Sequence, residues 1–207
     1  MPRQADAWVR LPWTSPGNWQ NRVRLVRRDP YRPGVHLREE DPADAVREVH
    51  LQAFGDHGKM VADLTDSLRH LPGLSLVAEV DGQVVGHVMF TRNLLDAPQR
   101  LVDVQVLSPV AVLPSHQRRG IGAALIKRGL ETLAAQDVPM VFLEGDPRYY
   151  SRLGFIPAGP RGYRRPSLRI PEPAFQVYEL PAHEPWMTGT LVYAAEFWHH
   201  DAVGLRG

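Results

Sequence analysis

Residues 107 to 133, LSPVAVLPSHQRRGIGAALIKRGLETL, run from an apolar strand-like segment into a helix through a short basic turn containing glycine. No other stretch constrains the fold as tightly, because a strand, a tight turn and an amphipathic helix in that order belong to a sheet covered by helices. Within it, Gln117-Arg118-Arg119-Gly120-Ile121-Gly122-Ala123 sets two glycines and a run of free backbone N–H groups at a helix start. The helix dipole favours negative charge there, so the turn suits a phosphate or pyrophosphate.

The flanking pattern fills out the sheet. A short strand at VHLRE is followed by Asp41-Pro42-Ala43-Asp44, where an Asp cap and a Pro at the first position predict a helix striped by Val46, Val49 and Ala53. Val61, Leu64, Leu68 and Leu71 recur at three- and four-residue steps and predict a second helix, stopped by Pro72-Gly73. Two apolar runs then flank Asp81-Gly82, a strong hairpin signal.

A strand over about 102 to 112 leads into the opening motif, and its helix runs to about Ala135. PMVFLEG reads as a buried strand, DPRYYSRLGF as one short helix capped by Asp146, and FQVYEL and GTLVYAAEF as two late strands. Strands with interspersed helices and an antiparallel start predict an α/β (α+β) fold: a mixed, mostly antiparallel twisted sheet with helices on both faces. The expected organisation is an Arg-, Trp- and Pro-rich extension over residues 1–35, a domain over 36–198 and a solvated tail over 199–207.

Composition removes several chemistries. With no cysteine among 207 residues, disulfides, thiolate metal sites and a cysteine acyl-enzyme are excluded. The nine histidines show no His-Glu-x-x-His or comparable spacing, so no metal is expected. No apolar run approaches the roughly 18 residues of a spanning helix and the N-terminal residues lack a signal-peptide core, so a cytoplasmic location and no membrane partner are expected. The formal charge is +1, and the seven Arg against two Asp in residues 1–35 leave the remaining chain net acidic. That balance speaks against a nucleic-acid partner, and the tryptophans of the extension suit packing on the domain or on a second subunit, as in a homodimer.

Gly-x-Gly at a helix start lacks both the third glycine of a dinucleotide fold and the Gly-Lys-Ser/Thr ending of a P-loop. Its spacing instead resembles the GNAT superfamily of N-acetyltransferases, whose acetyl-CoA signature is Gln/Arg-x-x-Gly-x-Gly/Ala after an apolar strand. Gln117-Arg118-Arg119-Gly120-Ile121-Gly122 matches each required position, and VAVLPSHQ before it and YYSRLGF after it are also similar in order and spacing. The resemblance covers about residues 35 to 195.

The resemblance implies acetyl-CoA as co-substrate and an amine, small-molecule or peptide, as acceptor. Arg118 to Ala123 would donate N–H groups to the pyrophosphate, with charge from Arg118 or Arg119. Pro109 inside a strand predicts a local distortion; in the family the chain resembles, a bulge in this strand frees backbone amides near the acetyl group, which implies that the N–H groups of Val110, Ala111 and Val112 polarise its carbonyl. Glu144, at the C-terminal end of the strand next to the cofactor strand, is the first candidate base, with Glu79 and His87 as alternatives. Tyr150 matches the Tyr of the family's Tyr-x-x-Leu-Gly-Phe pattern and is the candidate general acid.

A lysine-type amine with pKa about 10.4 is roughly one part in a thousand neutral at pH 7, a cost of about 4 to 5 kcal/mol, whereas an α-amine near 7.8 costs about 1. A base therefore matters most for the first kind of acceptor. A phenol near 10 handing its proton to a thiolate near 8.5 is uphill by about 2 kcal/mol, tolerable if the amine's proton leaves in concert. The rival reading is a non-catalytic acyl-CoA-sensing module using the same cradle to regulate a partner.

Overall fold

The computed structural model describes residues 34–42 and 44–204. The Arg- and Trp-rich extension therefore lies outside the described residues except for its last two positions.

In chain order the elements are β1 (His36–Glu39), α1 (Val46–Phe54), α2 (Gly58–Leu68), β2 (Gly73–Val80), β3 (Gln83–Asp96), β4 (Leu101–Val112) and α3 (Ile121–Ala134). These are followed by β5 (Met140–Glu144), α4 (Pro147–Tyr150), β6 (Ile156–Pro157), β7 (Tyr163–Arg164), β8 (Phe175–Glu179), β9 (Gly189–Val192) and α5 (Ala195–His199). The strands form one sheet in the order β1-β2-β3-β4-β5-β8-β6, with β9 pairing both β3 and β7. All pairings are antiparallel except β4 with β5 and β7 with β9.

Alternation along the strands sorts side chains onto two cores. Val88, Phe90, Val141 and Leu143 face α3, together with Leu125, Ile126 and Leu133 of that helix. Met89, Val104, Val106, Met140 and Phe142 face the other way, against Leu64 and Leu68 of α2 and Phe197 of α5. α3 lies close on β3: a Cβ at Gly129 would sit 2.2 Å from the Phe90 ring. Each fully buried side chain of this size contributes roughly 1.5–3 kcal/mol to folding.

The Asp81-Gly82 hairpin joins β2 to β3 with both turn residues at positive φ, 49° and 79°. Other local expectations are corrected. The Asp41-Pro42 segment does not open a helix; α1 starts at Val46, because Asp44 is taken by Arg38, whose two terminal guanidinium nitrogens each lie 2.7 Å from its carboxylate. α2 ends at Leu68, and Leu71 sits in the turn beyond it, where its N–H donates to Leu68 O. The late strand breaks after Val192, and the Ala-Glu-Phe portion is helical, α5.

The C-terminal residues do not trail in solvent as far as they are described. His200 Nε2 lies 2.7 Å from Ser67 Oγ, Arg169 pairs with Asp201 at 3.0 Å, and Val203 is fully buried.

Candidate active site

The site originates in a gap within the sheet. β4 and β5 are in register only at Gln105 with Val141 and Val106 with Phe142. Beyond those pairs β4 continues against β3 to Val112 and β5 continues against β8 to Glu144, so the two parallel strands splay apart at their C-terminal ends. Such ends of parallel strands are where ligands bind in α/β sheets.

Pro109 marks the distortion. Leu107 pairs with Phe90 and Val110 with Val88, so two residues of β4, Ser108 and Pro109, stand opposite the single Met89. This is the bulge that a proline inside a strand leads one to expect. Past it, Leu113 N–H donates to Val85 O at 2.8 Å. Antiparallel residues alternate between bonded and non-bonded pairs, so Ala111 also turns its N–H to β3 while Val110 and Val112 turn theirs toward the gap. The expected set of three amides is therefore two.

The strand leads straight into the helix start. Gln117 Nε2 donates to Val112 O at 3.0 Å, so this side chain braces the turn against the strand. Arg118 and Gly120 have φ of 58° and 78°, and Gly120 is the left-handed N-cap residue of α3, a conformation glycine takes without penalty. Among the described residues no side chain caps α3, and its first backbone bond is Ala124 N–H to Gly120 O at 3.0 Å. The N–H groups of Ile121, Gly122 and Ala123 thus precede the helical ladder. Arg118 and Arg119 are both exposed beside them.

Tyr149 and Tyr150 stand on the same side as α3. Asp146 caps α4 by accepting the Arg148 N–H at 2.9 Å, with Pro147 at the first position. A Cβ at Gly145 would meet the Tyr150 ring at 2.2 Å, and one at Gly122 would lie 3.1 Å from Tyr149 Oη and 3.6 Å from Val112 Cγ2. The Tyr150 ring packs edge-on to Tyr149 and Phe155, with centroids 4.9 and 5.8 Å away. Burial, and then Tyr149, pushes the Tyr150 phenol well above its usual range.

Glu144 ends β5 on the opposite face. It alternates with Leu143, which faces α3, and so shares the side of Phe142. Its carboxylate accepts the Gly204 N–H at 3.0 Å and neighbours Tyr193. Burial pushes its pKa up, against the opposing pull of Tyr193, Gly204 and Arg169.

The two alternative bases part company. Glu79 sits on β2, with β3 between it and β4, and accepts from Arg38 Nε and Nη2 at 3.1 and 3.0 Å. His87 is on β3 directly opposite Ala111 and is fully buried. Its Nδ1 lies 2.9 Å from His50 Nε2, and its Nε2 lies 2.8 Å from Ser75 Oγ and 3.4 Å from Glu40. Sequence reasoning passed over His50, although a histidine at a stripe position of α1, one turn after Val46, is the polar-in-apolar signal that asks for a partner. Tyr193 and Gly204 were also missed, because their approach to Glu144 is set by the late chain folding back.

A family model for the GNAT acetyltransferase domain matches residues 35–158. The uncharacterized N-acetyltransferase YjhQ of Escherichia coli K12 is 36% identical over 162 residues, covering 75% of this chain and 89% of that protein. The crystal structure of YhbS, a GNAT family N-acetyltransferase from Escherichia coli in complex with CoA, is similar with a TM-score of 0.71 and 30% identity, covering 79% of this chain and 91% of that one. A GNAT family acetyltransferase from Brucella melitensis in complex with acetyl-CoA is similar with a TM-score of 0.62 and 34% identity, covering 79% of this chain and 97% of that one. With its bulged strand, its splayed sheet and its uncapped Gly-x-Gly helix start, the chain belongs to the GNAT acetyltransferase family.

Proposed function

We propose that the gap between β4 and β5 receives the thioester of acetyl-CoA and that the α3 N-terminus receives its pyrophosphate. As a GNAT family member, similar to proteins crystallised with CoA and acetyl-CoA, the protein is an acetyl-CoA-dependent N-acetyltransferase. The observation that carries the residue assignment is the continuity of N–H groups without a partner among the described residues, from Val110 and Val112 across the Gln117 brace to Ile121, Gly122 and Ala123. The first pair would polarise the acetyl carbonyl and the second group would cradle phosphate oxygens. Arg118 and Arg119 would add charge beside the phosphates, and Gly120 and Gly122 would permit their close approach.

Transfer would be direct, from thioester to amine, since the chain has no cysteine to carry the acetyl group. The amine nitrogen attacks the carbonyl carbon, the C–S bond breaks and CoA leaves as a thiolate that takes up one proton. Tyr150 would meet the sulfur from the α3 face. Its raised pKa favours a role as a hydrogen-bond donor to the thiolate, since giving the proton up entirely costs more than the reference values imply. Glu144, on the other face, would take the amine's proton, and its raised pKa brings it closer to the pH at which an acid–base group works best. The acceptor would be a primary amine reaching the carbonyl from the side of α1, α2 and α5.

Thermal unfolding tests the cradle. Excess acetyl-CoA should raise Tm, while acetyl-pantetheine, which lacks the pyrophosphate, should not; equal shifts would sink the phosphate assignment. Release of free thiol across an amine library would identify the acceptor class. A cytoplasmic location fits a chain with no helix among the described residues long and apolar enough to cross a membrane. The chain would be organised as an extension to residue 35, a catalytic domain over 36–198 and a short C-terminal portion, and the extension would pack in a homodimer.

A further inference from the structure

The residues that follow α5, His200–Gly204, form a strap fastened along its whole course. The His200 N–H donates to Glu196 O and its ring meets Ser67 of α2, Asp201 pairs with Arg169, the Ala202 N–H donates to Phe197 O at 2.8 Å, and Val203 is fully buried in one cluster with Phe142 and Phe175. Asp201 and Gly204 have φ of 52° and 65°, so the backbone turns back twice. Gly204 then lies so close to the loop before β8 that a Cβ would stand 2.6 Å from the Arg169 carbonyl carbon and 2.7 Å from Ile170 N. Glycine suits both that conformation and that approach.

Ordering such a segment costs conformational entropy, and the contact it delivers is to Glu144. The Gly204 N–H donates to Glu144 Oε2 at 3.0 Å. Glu144 ends β5 where β4 and β5 part, and it is partly exposed rather than enclosed. Among the described residues Tyr193 and Arg169 also face this carboxylate, and Asp201 pairs with Arg169. The strap acts on Glu144 in two opposed ways. Its bulk excludes water and favours the acid form, whereas its N–H, a charge-assisted donor, fixes the carboxylate's direction and favours the ion. Burial is the larger influence, so the group sits above its usual range. A glutamate at a bare strand end would have neither the fixed direction nor the added basicity.

We propose that the strap His200–Gly204 belongs to the catalytic machinery, with Gly204 as a positioning residue that aims the Glu144 carboxylate at the acceptor amine while the strap keeps water from it. The inference rests on the reading of Glu144 as the base. It gives the late chain a task that the cofactor cradle, on the other side of the gap, does not share.

The test compares the wild type with a protein lacking residues 200–207 and with Gly204→Ala, whose methyl group meets the Arg169 carbonyl and lifts the strap at full length. Titration of the Glu144 carboxyl is followed by carbon NMR on glutamate-labelled protein, with Glu144→Gln identifying its signal. Turnover is read by thiol release with butylamine, near the lysine-type pKa of about 10.4, and with glycinamide, near the α-amine value of about 7.8. Both strap variants should lower the Glu144 midpoint by at least about half a pH unit toward the ordinary glutamate range, because admitting water outweighs losing one N–H. They should cut kcat/KM for butylamine about tenfold and for glycinamide about twofold, with the KM for acetyl-CoA within about twofold. A strap with a structural role alone would lower Tm and leave both the midpoint and the ratio between the two amines unmoved, and that result overturns the proposal. If the shortened protein fails to fold, Gly204→Ala decides alone. Shifted midpoints beside wild-type turnover in Glu144→Gln overturn the base reading and keep the strap's hold on the carboxylate; a selective loss of butylamine turnover in Glu144→Gln with unmoved midpoints in the strap variants does the reverse.

Discussion

Glu144 and Tyr150 lie close in sequence yet address opposite faces of the sheet: Glu144 shares the side of Phe142 and Tyr193, whereas Tyr150 packs with Phe155 on the side of α3. A thioester in the gap between them would meet its thiolate's hydrogen-bond donor on one side and its amine's base on the other. This division predicts that Tyr150→Phe leaves the acetyl-CoA Kd within about twofold and lowers kcat by about 100-fold, measured by calorimetry and thiol release. Full turnover in that variant would remove Tyr150 from the leaving-group role.

Glu144 sets a pH dependence of opposite sign to that of most carboxylates. Its folded-state pKa is raised by burial, so its contribution to stability is fully present below the ordinary glutamate range near 4.5 and is lost as pH rises through the raised value. Glu144→Gln should therefore be at least as stable as the wild type at pH 8, with the difference vanishing below about pH 4. The acidic limb of kcat/KM, lying above the normal glutamate range in the wild type, should disappear in the same variant. An acidic limb that persists in Glu144→Gln assigns the base elsewhere.

Glu40 behaves in the usual sense. Its folded pKa is depressed to about 2, so the stability it contributes is present above about pH 4.5 and is lost as pH falls toward 2. Acid unfolding followed by circular dichroism should be less steep over that window in Glu40→Gln, which is already less stable at neutral pH.

The glycines separate binding from folding. Gly129→Ala drives a methyl group into the Phe90 ring and should destabilise by roughly 1–3 kcal/mol while leaving acetyl-CoA affinity nearly unchanged once folded. Gly122→Val crowds Tyr149 Oη and Val112 at the cradle and should weaken acetyl-CoA about tenfold or more with a smaller change in Tm. Paired denaturation and binding curves check both, and a uniform loss of stability without loss of affinity would remove Gly122 from the cradle.

Much of this fold is written in local signals. Asp81-Gly82 announces its hairpin, Pro109 its bulge, and the Gly-x-Gly turn its helix, because each depends on backbone geometry that few other residues permit. What stays hidden depends on distant partners. Asp41-Pro42 has the look of a helix start until Arg38 draws in the neighbouring Asp44, and the Ala-Glu-Phe segment, which reads as strand, is helical and packs against α2. At the site, Val110, Gln117, Gly120 and Gly122 are legible as one strand–turn–helix run, but neither the face chosen by Glu144 nor the contact of His50 with His87, 37 residues apart, can be read without the register of the sheet.

The short seam between β4 and β5 has a mechanical counterpart. The Tyr163 ring rests on Phe142 of β5 at 5.1 Å, its strand β7 pairs with β9, and β9 pairs with β3, which returns through β4 to the seam. The halves on either side of the cleft are thus linked at two separate places, and widening the opening would pull on the Tyr163–Phe142 ring contact or on strand pairing far from it. A circuit closed in this way predicts a slot whose width is set before the donor arrives, so donor binding should carry little of the entropy cost of ordering a mobile jaw.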